Sequence, residues 1–195
     1  MESRFEGRPL VLASRSPRRI ELLSEAGYHF DVLSPEVEES HDAALAPAEL
    51  TIENARRKAV AGLGLRTEAL VIGADTLVYL DGQPLGKPGD LGEAHEMLRR
   101  LSGRQHHVCT GVYLSWAGGG RGFEVNTDVT FLPLSEDDIR AYHARVNPLD
   151  KAGAYGIQEA GEMIVERCEG SWTNVMGLPM ERLLEELRAL GVRPA

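Results

Sequence analysis

Cysteine is almost missing from this chain of 195 residues. Cys109 and Cys168 are too few for a disulfide framework and read as free thiols of a reducing compartment. No apolar run approaches the length that crosses a bilayer, so no membrane partner is expected. The opening residues, MESRFEGRPL, lack the apolar core and cleavage site of a secretory leader, and the cytoplasm is the expected location. Positive charge is outweighed: the net charge is -9, against the broad basic face that a nucleic-acid polymer requires. A local basic pocket for a small anion stays compatible with that balance. Lysine is the scarce cation, with Lys58, Lys87 and Lys151 set against eighteen arginines. A lysine kept against that trend marks a place suited to a compact point charge. Repeats, low-complexity tracts and long linkers are also missing. Residues 1–195 therefore read as one domain, with or without two lobes. A hydrophobic content of 43% supplies an ordinary core.

The organising stretch is Leu10 to Gly27, LVLASRSPRRIELLSEAG. Leu10–Ala13 has the length of a buried strand. A helix follows, with Ser16 at the N-cap, Pro17 at the first helical position and Gly27 as the stop. Ser14, Arg15, Ser16, Arg18 and Arg19 lie at that junction. A helix N-terminus presents free N–H groups and the positive end of the dipole. Arginines there oppose the dipole, and an anion would relieve the conflict. The pattern fits a phosphate cradle and equally an ordinary capped helix with solvated arginines. It is not a P-loop.

His29–Leu33 reads as a short strand and Pro35–Glu39 as an acidic loop. A helix is expected from about Pro47 to Leu63, with Ala48, Ile52, Ala55, Ala59 and Leu63 on its apolar stripe and Lys58 beside it. Ala69–Leu80 is the strongest strand, apolar on both faces and so central. Asp75 interrupts it. An acid inside a buried strand is costly unless paired, hydrogen-bonded or bound to metal, which favours a functional reading. Asp81-Gly82 is a hairpin turn, and Pro88 leaves Lys87 near a strand end. Asp90 caps a helix to Leu101 with Leu91, Ala94, Leu98 and Leu101 inward. His106–Trp116 and Gly122–Leu132 form an antiparallel pair joined through residues 117–121. His107 and Cys109 share a face there but lack a second ligand pair for zinc, and packing is the preferred reading. Ser135 caps a helix from Glu136 to about Val146. The glycine-rich run from Pro148 ends on Gln158, whose amide suits a pyrimidine edge, although a plain turn is the reading preferred on pattern alone. A strand over Met163–Cys168 and a helix over Met180–Leu190 complete an α/β chain with a mixed sheet.

Together, LASRSPRR from Leu12, Gly73-Ala74-Asp75-Thr76, Gly86-Lys87-Pro88, Leu101-Ser102-Gly103, DKAGAYGIQ from Asp150 and Val175-Met176-Gly177-Leu178-Pro179 resemble the Maf family of nucleoside triphosphate pyrophosphatases, in order along nearly the whole chain. The resemblance implies an inosine-triphosphate-pyrophosphatase-like α/β fold, an elongated twisted mixed sheet flanked by helices, two lobes and a central cleft. It implies hydrolysis of a nucleoside triphosphate to the monophosphate and pyrophosphate with a divalent cation, Mg or Mn. By match to the family's motifs, Asp75 is the proton acceptor and Glu39, Lys58 and Lys87 complete the catalytic set. Ser14, Arg15, Ser16 and Arg19 fall in the phosphate loop. Arg18, Thr76 and Gln158 resemble the dTTP/UTP subgroup, whereas the 7-methyl-GTP subgroup tends to carry tryptophan, glutamine and glutamate there. Trp172 departs from the tyrosine or smaller residue expected at its place. A homodimer is common in that family.

Attack of water on the α-phosphorus needs charge neutralisation, a metal and a base. Lys58, Lys87 and the arginines can supply the first, Glu39 and Asp75 can hold the second, and Asp75 can act as the third. Metal ligand and base compete for Asp75, and the letters do not divide them. Three rivals stand beside this reading: the same chemistry on 7-methyl-GTP or another non-standard purine triphosphate, a regulatory nucleotide-binding protein linked to septum formation, and a nucleotide-binding domain with kinase-like transfer, which no P-loop or kinase loop supports.

Overall fold

The computed structural model describes residues 5, 7–42 and 44–194. Seven strands and six helices are present among them: β1 (Leu10–Ala13), α1 (Pro17–Glu25), β2 (Asp31–Leu33), α2 (Pro47–Leu65), β3 (Leu70–Leu80), β4 (Gln83–Leu85), α3 (Leu91–Leu101), β5 (Gln105–Trp116), β6 (Gly119–Phe131), α4 (Glu136–His143), β7 (Val165–Glu169), α5 (Trp172–Met176) and α6 (Met180–Ala189). The strands join in one sheet in the order β2-β1-β3-β5-β6-β7, with β4 on β3. β1 runs parallel to β2 and β3, while β3–β4 and β6–β7 are antiparallel, so the sheet is mixed as expected. Parallel pairing demands crossovers, which α1 and α2 provide.

Packing divides the chain into two compact units. One comprises Met1–Asp75, Thr110–Val125 and Gly177–Ala195; the other comprises Thr76–Cys109 and Asn126–Met176. In the first, Val11, Ala13, Ala59, Ala69 and Val71 form one buried cluster, and Leu12, Leu23, Leu70, Ile72 and Leu114 are buried as well. In the second, Leu98, Leu101, Phe131, Ile139, Tyr142 and Ile157 are buried in one core. β3 passes from one unit to the other between Asp75 and Thr76.

Several boundaries differ from the expectation, each for a local reason. Leu91 is 60% exposed rather than inward, because it is the first residue of α3 and the buried stripe begins a turn later with Ala94, Met97 and Leu98. Asp90 does cap that helix, accepting from the Glu93 N–H at 2.8 Å. The β5–β6 link is the two residues Ala117-Gly118, with Gly118 at φ +84°. Gly119 and Gly120 belong to β6, and aromatic rings occupy the place their side chains would take. A Cβ at Gly120 would stand 2.6 Å from the Tyr113 ring, and one at Gly119 2.9 Å from the Trp116 indole nitrogen. The early strand shortens to Asp31–Leu33, and α4 stops at His143 with Ser135 and Asp138 forming a reciprocal capping box. A 3-10 turn at Gly161–Met163 precedes β7, and α5 was not expected. The Asp81-Gly82 turn forms as read, with φ of 54° and 74°.

Candidate active site

Asp75 sits inside β3, only 7% exposed, and α2 delivers its partners. The helix comes unusually close to the sheet. A Cβ at Gly73 would lie 2.2 Å from the Ala55 carbonyl oxygen, and one at Gly111 2.4 Å from the Thr51 carbonyl carbon. Glycine on the strands and Ala55 and Ala59 on the helix make that approach sterically possible. At this distance the Lys58 Nζ reaches Asp75 Oδ1 and Glu39 Oε1, at 2.7 Å each. Asn54, one turn earlier on the same face, donates from Nδ2 to Asp75 Oδ2 at 3.3 Å. The same amide donates to the Ser40 carbonyl at 3.1 Å and accepts from the Ser40 N–H at 2.7 Å. It therefore also clamps the loop that carries Glu39. Asn54 was missed in the sequence. Its signal is a polar residue within the small apolar stripe, four positions before Lys58. Removing one partner of a buried pair of this kind costs about 3–5 kcal/mol, because the other charge is left uncompensated.

The loop after β1 completes the unit's charge pattern. Ser16 occupies the N-cap of α1, yet its side chain makes no capping bond; instead its N–H donates to Ser14 Oγ at 3.2 Å. No acidic residue occupies the first turn. Arg19 donates from Nε to the Gly177 carbonyl at 2.7 Å, and from Nη1 to the Ala74 carbonyl at 3.0 Å and Ser14 Oγ at 3.3 Å. The guanidinium is thus fixed beside the residue preceding Asp75. Burial lowers its pKa from the ordinary value, opposed chiefly by the Asp75 carboxylate, while Arg18 adds to the lowering and Glu39 resists it. An arginine so perturbed still carries its charge at neutral pH. Arg15 is exposed and Arg18 half-buried.

Ser14, Arg15, Ser16, Arg18, Arg19, Glu39, Lys58 and Asp75 therefore belong to one unit, and Thr76, Lys87 and Gln158 to the other. Thr76 follows Asp75 on β3 and is half-buried. Lys87 is exposed, two residues past β4. Its loop is tied to the glycine-rich run, since the Gly86 carbonyl accepts from the Gly153 N–H at 3.1 Å. Gly153 requires glycine there, with φ +70° and Val78 against it. Gln158 is half-buried and donates from Nε2 to Glu159 Oε1 at 2.9 Å. The third lysine is structural: the Lys151 ammonium is buried against Asp150 at 2.8 Å, Glu159 at 3.1 Å and the Asn147 carbonyl at 2.9 Å. Cys109 is buried, as a packing residue is, whereas His107 is exposed and pairs with Asp128 at 2.7 Å.

Among the described residues no group of three or more His, Cys, Asp and Glu could hold a metal ion. Asp75 and Glu39 nonetheless fit a hard cation. Both already converge on one positive centre, the Lys58 ammonium, and both offer only oxygen. One or two carboxylates, completed by substrate phosphates and water, are the usual protein share of a Mg²⁺ site. Among the described residues no helix is long and apolar enough to cross a membrane.

A family model described as Maf-like protein matches residues 9–190. The dTTP/UTP pyrophosphatase of Akkermansia muciniphila is 48% identical over 185 residues, 95% of this chain and 98% of that protein. The dTTP/UTP pyrophosphatase of Vibrio cholerae is 50% identical over 172 residues, 88% of this chain and 92% of that protein. The Staphylococcus aureus Ham1 protein superposes with a TM-score of 0.56 at 18% identity, covering 93% of this chain and 99% of that one. That likeness bears on fold alone and agrees with the inosine-triphosphate-pyrophosphatase-like architecture expected from the motifs.

Proposed function

The chain belongs to the Maf-like family, and from that premise we propose that it hydrolyses dTTP and UTP to the monophosphate and pyrophosphate. The relatives that match nearly the whole chain carry that activity in their names. The observation that carries the chemistry is the buried Asp75 carboxylate held by Lys58 and Asn54 beside the Arg19 guanidinium.

The residues divide the work as follows. Ser14, Arg15, Ser16 and Arg19 bind phosphate oxygens at the N-terminus of α1, and Lys58 and Lys87 add compact positive charge. Asp75 takes the proton of the attacking water. The water oxygen bonds to the α-phosphorus, the bond from that phosphorus to the bridging oxygen breaks, and pyrophosphate leaves with the electron pair. Asn54 and Lys58 fix the carboxylate's direction, so little reorganisation is needed at the moment of reaction. Glu39 and Asp75 would hold a divalent cation, Mg²⁺ or Mn²⁺, which when bound neutralises phosphate charge and makes the phosphorus more electrophilic. Arg18, Thr76 and Gln158 set the choice of base.

A panel of triphosphates, with product identification and with Mg²⁺, Mn²⁺ or a chelator, tests the reading. UTP and dTTP are expected to give UMP and dTMP plus pyrophosphate, with turnover lost on chelation. A preference for purine triphosphates would overturn the substrate. Turnover of none would favour the septum-linked nucleotide-binding reading.

A further inference from the structure

Gln158 is held in one orientation by its own neighbours. Its Nε2 donates to Glu159 Oε1 at 2.9 Å, and the same carboxylate oxygen stands 3.1 Å from the Lys151 ammonium. Lys151 is itself anchored on Asp150 and on the Asn147 carbonyl. A carboxylate at neutral pH only accepts hydrogen bonds, so the nitrogen end of the Gln158 amide must face Glu159. Turning the amide over would place oxygen against oxygen beside a buried lysine. The other end, Oε1, is buried and has no hydrogen-bond partner. An unpaired buried acceptor is expensive, and a ligand donor that reaches it as the surrounding side chains give way recovers that cost. The loop backbone is also constrained: a Cβ at Gly156 would meet the Lys151 Cε at 2.8 Å, so the lysine stem fills the place a side chain would take.

We infer that Glu159 and Lys151 are positioning residues that make Gln158 present an acceptor, and not a donor, to the base. The inference rests on the reading that Gln158 meets the base. Uracil and thymine carry a donor at N3–H, whereas cytosine has a lone pair at N3. A fixed acceptor therefore favours the first two and repels the third. Discrimination of this kind comes from a polar site group left unpaired by the wrong ligand, the situation in which binding sites select most strongly.

The test compares kcat/KM for UTP with that for CTP. In Glu159→Gln the neighbour can accept or donate, the Gln158 amide is free to turn over, and the UTP:CTP ratio is expected to fall about tenfold or more. Glu159→Asp keeps an acceptor-only partner and is expected to retain most of the ratio. Should Glu159→Gln fold poorly, Glu159→Ala carries the same expectation. A ratio within about twofold of the parent in Glu159→Gln or Glu159→Ala, while Gln158→Ala collapses it, would overturn the positioning role and leave base contact standing. An unchanged ratio in Gln158→Ala would overturn base contact itself, and the inference with it.

Discussion

Asp75 and Glu39 share one ammonium, that of Lys58, and each side chain of this trio has its place fixed by something else. Asn54 holds the second oxygen of Asp75 and the backbone beside Glu39, so the carboxylate is aimed before any substrate arrives. Asp75→Asn preserves size and the contact to Lys58 but removes the proton acceptor. It is expected to lower kcat about 10²–10⁴-fold and to lower the unfolding temperature, because Lys58 loses a buried counter-charge, while the fold survives at the assay temperature. Near-normal turnover in that variant would remove Asp75 from the chemistry. A second buried titratable group shapes stability. The His106 ring lies edge-on to Phe131 and Tyr155, with Nε2 at 2.8 Å from the Tyr155 hydroxyl. Burial, then neighbouring His107, pulls its pKa down to about 3. The unfolded chain binds this proton near the ordinary value while the folded chain refuses it, so stability is lost as pH falls from about 6.5 toward 3. Between pH 7 and pH 5 the parent should lose about 2 kcal/mol more in denaturant titrations than His106→Gln. Equal losses would show that His106 takes up its proton while folded.

α2 shows how much of an element can be read from letters and where reading stops. Its existence, its start at Pro47 and the adjacency of Lys58 to the inward face follow from spacing. What spacing does not carry is the depth of approach. Leu50, Thr51, Asn54, Ala55, Ala59 and Gly62 are buried, whereas Ala48, Ile52 and Leu63 are only half-buried, so beyond Leu50 the seam consists of small and polar residues. Hydrophobic periodicity weights large apolar residues, yet close packing against strand backbone selects small ones, and that selection depends on glycines distant in the chain at 73 and 111. Leu91 fails for the related reason that periodicity gives a face but not where the neighbouring layer begins. Gly111→Ala puts a methyl into the α2 backbone at Thr51 and Ile52. We expect a loss of about 1–3 kcal/mol in unfolding free energy, and lower kcat because the helix moves with Lys58 on it. Parent-like stability and turnover would show that the contact yields without cost.

For the molecule as a whole, the sequence supplied the α/β class, the mixed sheet and an interior acid in need of a partner; the structure supplied Lys58 as that partner. It did not supply Asn54 or the small seam under α2, because each depends on two segments meeting in space, nor the contact between the adjacent Gln158 and Glu159, because the letters do not say which way neighbouring side chains turn. Charge tells the same story. Arginine is spent largely on exposed ion pairs such as Arg99–Glu136, Arg104–Asp81 and Arg140–Asp137, which contribute little individually. The three lysines stand apart, with Lys58 on the buried acid, Lys151 enclosed and Lys87 in a loop tied to the Gly153 turn. The central claim is that water adds to the α-phosphorus of a pyrimidine triphosphate, with Asp75 removing its proton. The most direct test is turnover of UTP in water carrying the heavy oxygen isotope, with mass analysis of both products. The account predicts the label in UMP and none in pyrophosphate. Label in pyrophosphate would place the attack on the β-phosphorus and contradict it.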